Sequence, residues 1–346
     1  SVGLLTMGAS PMLFRGTMIA SILATASAFS FRFARRAFRI PASPSSSATS
    51  SSSPSNDGPS FGNRRLRGEL SVYHGGHVVF KTEPEIRPAK RKFFIFVGGL
   101  SDGLMATNYV APLAEALTQS GWTFLQPLIS SSYTGFGTND LNIDAKEISE
   151  LVGLIRKDDP KAPVIFMGHS TGCQDAVTYC RKYHNPRLKS YGPSLKFDAV
   201  VLQAPVSDRE SMMMDEENVE RRSRAARMVA EGKGMELMPS GDYWAPITSY
   251  RFNSLCGKMT DDDMFSSDLK DGQLKEKLDC VDVPALLIFS GSDEYVPKTV
   301  DTKLLAKRMK DAMKSEDVEA IILDGADHAA SSPDSVAALV NAVSKF

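Results

Sequence analysis

The chain has 346 residues, 42% of them hydrophobic, which is enough apolar material for the core of one large domain or two. Its 40 Lys and Arg residues nearly balance 41 Asp and Glu residues, so there is no basic excess to favour a nucleic acid partner. The four cysteines are scattered without a C-x-x-C pair, which argues against a disulfide framework or a zinc site, and no apolar run is long enough to span a membrane.

The N-terminal region differs in composition from the rest. Residues 1–56 contain no Asp or Glu, and they include several arginines and the run SPSSSATSSSSPS. This composition predicts that residues 1–66 form a disordered leader. An Arg-bearing, Ser-rich and acid-free leader is typical of a transit peptide, which would direct the protein to a plastid or mitochondrion; without it, we expect a cytoplasmic protein. A secretory signal and a misassigned gene start are the alternatives.

The rest of the chain alternates between short apolar segments and amphipathic helical patterns. Two β-like runs around Gly75 and Gly76 predict a hairpin, and six apolar segments follow, from KFFIFVGG to VEAIILDG. The helical segments repeat apolar residues at i, i+3, i+4 and i+7. This order predicts an α/β, doubly wound fold with a mostly parallel sheet of eight strands flanked by helices.

One segment interrupts the alternation. Residues 209–283, between the sixth and seventh predicted strands, are too long for an ordinary connection. They combine a charged, helix-prone stretch with the aromatic run DYWAPITSYRF. We interpret them as a helical cap over the carboxyl ends of the strands, inserted into a domain that covers residues 67–346. An interaction lobe is the alternative interpretation.

A candidate nucleophile lies in the run VIFMGHSTGCQDA, residues 164–176. Ser170 stands between Gly168 and Gly172, after a predicted strand and before a predicted helix. In a G-x-S-x-G turn, glycine permits close backbone approach, and the serine is held clear of the sheet near a helix N-terminus. The spacing alone is weakly specific, so the flanking strand and helix carry the argument for Ser170.

A serine nucleophile needs a base, usually histidine. The chain has five histidines: His74, His77, His169, His184 and His328. The first two lie in the predicted hairpin, and the next two are too close to Ser170 in sequence to fold back onto it. His328 follows the last predicted strand, and this placement favours it as general base over a loop histidine without a role.

The group that orients the base has two candidates. Asp293, in GSDEYVP, follows the seventh predicted strand, and Asp208, in APVSDRE, follows the sixth. The chain order Ser, Asp, His favours Asp293, because its strand immediately precedes the histidine strand. Asp208 stays an alternative, and Asp327 is interpreted as a loop-capping carboxylate.

Acyl transfer also requires N–H donors for a developing oxyanion. The run FVGGLSDG turns sharply after the first long strand and brings the backbone N–H of Leu100 towards the serine. The N–H of Thr171 is the natural second donor. The alternative for Gly98 and Gly99 is a simple turn.

Taken together, VGGLSDGL, GHSTGCQDA, LQAPVSDRE, DDDMFSSDL, SGSDEYVP and ADH resemble the α/β-hydrolase superfamily. Within it, they resemble the DUF1749 (UPF0613) group, which includes fungal fusarinine C siderophore esterases. The resemblance covers about residues 67–346 and excludes the leader. It implies Ser170 as nucleophile, Asp293 as acid and His328 as base, but it does not carry the siderophore substrate over.

The sequence therefore predicts a serine hydrolase of the carboxylic-ester class. A thioester or amide is the less favoured bond, the substrate is a small molecule, and neither a cofactor nor a metal is expected. The alternative is a ligand-binding protein of the same fold in which the three residues are catalytically idle. The sequence specifies neither the substrate nor the oligomeric state.

Overall fold

Eight strands form one sheet in the part of the chain that the computed structural model describes, residues 65–86, 88–184 and 194–346. The strands are β1 (Glu69–His74), β2 (His77–Thr82), β3 (Phe93–Val97), β4 (Thr123–Pro127), β5 (Val164–His169), β6 (Ala199–Gln203), β7 (Ala285–Ser290) and β8 (Val318–Leu323). Their spatial order is β1-β2-β4-β3-β5-β6-β7-β8. The β1–β2 and β2–β4 pairs are antiparallel, and all other neighbours are parallel.

Nine α-helices accompany the sheet within the same described ranges. They are α1 (Val110–Gln119), α2 (Leu141–Asp158), α3 (Gly172–Tyr183), α4 (Asp208–Met212), α5 (Glu217–Ala230), α6 (Ser249–Cys256), α7 (Asp271–Leu278), α8 (Thr302–Ala312) and α9 (Pro333–Lys345). The four helices α4 to α7 lie between the sixth and seventh strands. The predicted α/β-hydrolase fold, with helices inserted at this point, is confirmed.

Both faces of the sheet are buried, which explains why its central strands read as unbroken apolar runs. In β3, Phe93, Ile95 and Val97 pack into the core cluster on one face, and Phe94 and Phe96 pack into the cluster on the other. The first cluster also contains apolar residues of α2, α3, α7 and α8, and the second contains those of α1 and α9. The sheet is thus sandwiched between two helical layers.

A third apolar cluster belongs to the inserted helices. Phe252, Leu255 and Cys256 of α6 are fully buried and pack with Ala225 of α5. Phe136, in a short 3₁₀ helix after β4, completes this cluster and is also buried. The inserted segment therefore has an apolar core of its own that reaches the loops at the carboxyl ends of the strands.

The predicted leader, residues 1–66, lies outside the described residues except for its last two positions, so it stays a prediction. Among the described helices, none combines the length and the apolar character needed to cross a bilayer.

The packing of α8 gives a test of this fold. Leu305 and Leu304 are adjacent on the helix, but their exposed fractions are 7% and 54%. We expect Leu305→Ala to lower the free energy of unfolding by about 2–5 kcal/mol, because it leaves a cavity against the sheet. Leu304→Ala should change it by no more than about 0.5 kcal/mol. Urea denaturation measures both, and equal losses would contradict the orientation of α8.

Candidate active site

The turn between β5 and α3 holds Ser170 in an uncommon backbone conformation. Its φ is +52°, a left-handed value that costs a non-glycine residue about 1–2 kcal/mol. The two glycines make this turn possible: a Cβ on Gly168 would lie 2.1 Å from the Gly172 oxygen, and one on Gly172 would lie 2.5 Å from the Val97 oxygen. The Ser170 N–H donates to the Gln203 oxygen at 2.9 Å, which ties the turn to β6.

The predicted partners of Ser170 come from two further strand ends. Asp293 follows β7, and His328 follows β8. Because β5 to β8 are parallel neighbours, the loops that follow them meet at one edge of the sheet. The topology thus brings together three residues that are distant in sequence.

These three side chains form a continuous hydrogen-bonded chain. His328 Nε2 lies 2.8 Å from Ser170 Oγ, and His328 Nδ1 lies 2.8 Å from Asp293 Oδ2. Since a carboxylate only accepts, Nδ1 carries the proton and donates to Asp293, which leaves Nε2 free to accept from the serine hydroxyl. The Asp293 side chain is only 2% exposed, so this arrangement is largely shielded from water.

The backbone and ring of His328 are also held in place. Its N–H donates to Glu294 Oε2 at 2.9 Å, and its carbonyl oxygen accepts from Gln203 Nε2 at 3.2 Å. The Tyr295 ring packs edge to face against the imidazole, with 4.7 Å between the two ring centres. The orientation of the imidazole therefore does not depend on Asp293 alone.

The other two aspartates have different partners. Asp208 accepts a hydrogen bond from Gln174 Nε2 at the start of α4, and the described residues show no bond between it and His328. Burial raises the pKa of Asp208 to about 7. Asp327 accepts from the Ser331 N–H at 2.6 Å within its own loop. Of the three, the structure brings only Asp293 into contact with the histidine.

Two backbone amides adjoin the serine. Gly99 packs so closely that a Cβ there would lie 2.6 Å from Ser170 Cβ, and its N–H donates to Asp102 Oδ2 at 2.7 Å, which fixes the loop after β3. The next residue, Leu100, lines a cavity together with Thr171. Within the described chain, neither the Leu100 N–H nor the Thr171 N–H donates a hydrogen bond to another group. The role of these two N–H groups as donors to a developing oxyanion stays a prediction.

Sequence reasoning set His169 aside, yet it lies directly behind the site. Its ring centre is 5.0 Å from that of His328, and its Nδ1 hydrogen-bonds Gln203 Oε1. The same oxygen accepts from the Tyr109 hydroxyl at 2.9 Å. Gln203 thus connects His169, Tyr109 and the backbone of His328. The signal in the sequence that could have revealed the role of Gln203 is its own position, as a polar residue at the end of the apolar strand AVVLQ.

The described residues contain no cluster of three or more His, Cys, Asp or Glu side chains that could hold a metal ion. At the site itself, the hydrogen bond between the hydroxyl and the imidazole allows proton transfer between Ser170 and His328.

Comparison with known proteins gives relatives over most of the chain. The model of the family described as "Protein of unknown function (DUF1749)" matches residues 53–346. Fusarinine C esterase sidJ of Aspergillus fumigatus is 31% identical over 294 residues, which cover 69% of this chain and 83% of that protein. Esterase AN6793 of Emericella nidulans is 30% identical over 305 residues, 70% of this chain and 81% of the other.

Solved structures agree with the fold. The siderophore hydrolase EstB from Aspergillus fumigatus superposes with a TM-score of 0.67 and 28% identity, covering 82% of this chain and 97% of that one. A monoglyceride lipase variant from Saccharomyces cerevisiae superposes with a TM-score of 0.55 at 11% identity, covering 81% and 94%. The second likeness concerns the fold alone.

The burial of His169 makes a prediction about its charge. Burial and the neighbouring His328 lower its pKa from 6.5 to about 3. We expect NMR of its ring nitrogens to show a neutral imidazole from about pH 8 to about pH 5, with His169→Asn used to assign the signal.

The same pKa shift has a consequence for stability. The unfolded chain takes up a proton at His169 below pH 6.5, whereas the folded chain does so only near pH 3. This residue therefore reduces folding stability as the pH falls through that window. A titration midpoint near 6.5 for the folded protein would contradict the burial of the ring.

Proposed function

The chain belongs to the DUF1749 family and has the α/β-hydrolase fold, and from its site we propose that it is a serine hydrolase that cleaves a small-molecule carboxylic ester. The observation that carries the proposal is the hydrogen-bonded chain from Ser170 through His328 to Asp293, with both links at 2.8 Å. The relatives named as esterases support the choice of an ester.

In the proposed acylation step, Ser170 Oγ attacks the ester carbonyl carbon while His328 Nε2 takes the hydroxyl proton. The carbonyl oxygen becomes an oxyanion that accepts hydrogen bonds from the N–H groups of Leu100 and Thr171. The imidazolium then gives its proton to the departing alkoxide. The alcohol leaves, and the acyl group stays as an ester on Ser170.

Deacylation repeats these transfers with water. His328 Nε2 removes a proton from the attacking water molecule, and the same two amides bind the second oxyanion. The proton returns to Ser170 Oγ as the acyl–oxygen bond breaks. The products are one carboxylic acid and one alcohol, and the residues end in their starting protonation states.

Two neighbours of His328 bear on the imidazolium that forms during these steps. Asp293, buried beside Nδ1, stabilises the imidazolium. His169, whose ring centre is 5.0 Å away, is held neutral by burial, so it places no second positive charge against that imidazolium. An idle site has no need for such an arrangement, and we therefore prefer the hydrolase to the ligand-binding alternative.

The roles of the two candidate acids can be separated by matched substitutions. We expect Asp293→Asn to lower kcat for p-nitrophenyl butanoate by about 10⁴-fold, since an amide no longer holds the required tautomer of His328. Asp208→Asn should cause a much smaller loss, because Asp208 does not touch the histidine. Steady-state release of p-nitrophenol measures both.

Ser170→Ala provides the baseline for these measurements, and circular dichroism shows whether each variant is folded. A folded Asp293→Asn variant with nearly full activity, or a larger loss in Asp208→Asn, would overturn the assignment of the acid. Hydrolysis that persists at the wild-type rate in Ser170→Ala would overturn the proposal itself.

A further inference from the structure

A cavity lies beside the loop that carries Leu100 and beside Thr171. Its empty volume is about 480 Å³, which includes space open to solvent. Its lining includes Gly99, Leu100 and Thr171, and also Asp144 and Asp175. A substrate whose carbonyl oxygen accepts from the amides of Leu100 and Thr171 would therefore have another part of its structure close to the two aspartates.

These aspartates are buried, and one oxygen of each has no hydrogen-bond partner in the described residues. Asp144, in the first turn of α2, is 2% exposed, and Asp175, in the first turn of α3, is 3% exposed. In the described part of the chain, the Oδ1 atoms of both carboxylates are buried without a hydrogen-bond partner, and so is the Thr171 hydroxyl. Three acceptor oxygens thus stand unpaired around one space.

Arg251, which also lines the cavity, has its hydrogen bonds with other groups. Arg251 of α6 is fully buried, and it donates to Asp262 Oδ2 at 2.5 Å and to the Phe136 oxygen at 3.2 Å. Its closest ion pair is therefore with Asp262. Asp144 and Asp175 make no ion pair in the described residues, and the charge of Arg251 only partly offsets the rise in their pKa values that burial causes.

Burying a carboxylate without a partner is costly, so a site that does so is suited to a ligand that supplies the missing donors and charge. Burial raises the pKa of Asp144 to about 7 and raises that of Asp175 further above its usual range. Burial therefore favours the protonated form of both groups when nothing else occupies the cavity. A cation with hydrogen-bond donors would replace those protons.

We propose that this cavity binds a primary ammonium group of the substrate, so that the ester cleaved at Ser170 carries a protonated amine close to its carbonyl carbon. An ammonium has three N–H donors and no acceptor, which matches the three unpaired oxygens of Asp144, Asp175 and Thr171. Asp175 follows Thr171 by about one helical turn, roughly 5–6 Å, which places the amine within a few bonds of the carbonyl. This inference rests on the proposed ester hydrolysis and specifies its substrate class.

Pairs of esters in which an ammonium replaces a methyl group test the proposal. The pairs are p-nitrophenyl glycinate with p-nitrophenyl propanoate, and p-nitrophenyl β-alaninate with p-nitrophenyl butanoate. After subtraction of spontaneous hydrolysis, we expect the wild-type kcat/KM to be at least about tenfold higher for the amino ester in one pair or both. The ratio within a pair cancels any loss that affects both esters.

Substitutions assign the preference to the cavity. Asp175→Asn and Asp144→Asn should each reduce the amino-to-neutral ratio by about tenfold or more, because each removes one carboxylate charge. Asp311→Asn removes the same charge from an exposed position on α8, where Asp311 pairs with Lys307, and it should leave the ratio unchanged. If one cavity variant does not fold, the other still tests whether the preference measured in the wild type depends on the cavity.

The outcomes separate the two proposals. Hydrolysis of the neutral esters without preference for either amino ester would overturn the ammonium site and leave the serine hydrolase standing; the cavity would then hold only water. A preference that Asp175→Asn and Asp144→Asn do not reduce would also overturn the site. If none of the four esters is hydrolysed, that result counts against the proposed function.

Discussion

The geometry of the site depends on how closely the backbone of the β5–α3 turn packs against the end of β3. Gly172 permits that approach, since a Cβ there would overlap the Val97 carbonyl group, and Gly168 lets the turn itself close, since a Cβ there would overlap the Gly172 carbonyl group. The strained φ of Ser170 is tolerated because the turn is fixed on one side by β3 and on the other by the hydrogen bond to the Gln203 oxygen. The serine hydroxyl consequently has a defined direction, towards the loop after β8.

The same strand edge supplies every other part of the site. The loop after β3 supplies the Leu100 amide, and those after β7 and β8 supply Asp293 and His328. Gln203 ends β6, the strand between β5 and β7. Its side chain hydrogen-bonds the His169 ring and the His328 carbonyl oxygen. Beyond the amides, the cavity continues to Asp144 and Asp175, so the site that reacts and the site proposed to select the substrate share one wall.

Much of this could be predicted from the sequence, and the missing part has a physical reason. The strands and helices follow from apolar periodicity, and Ser170, Asp293 and His328 were identified from their places after strands and from a family resemblance. The roles of Gln203 and His169 depend on contacts between strands that periodicity does not describe. Asp144 and Asp175 are polar residues on the buried sides of helices α2 and α3, so their placement could be seen only once both helices were packed on the sheet.

Reaction with a fluorophosphonate, followed by mass spectrometry of the labelled peptide, tests whether Ser170 is an activated nucleophile. We expect the probe to modify Ser170 in the wild-type protein, and we expect His328→Ala, which retains the hydroxyl but removes the base, to react far more slowly. Ser170→Ala should show no label on that peptide. A folded wild-type protein in which Ser170 stays unmodified, or a His328→Ala variant that reacts as fast as the wild type, would show that His328 does not activate Ser170.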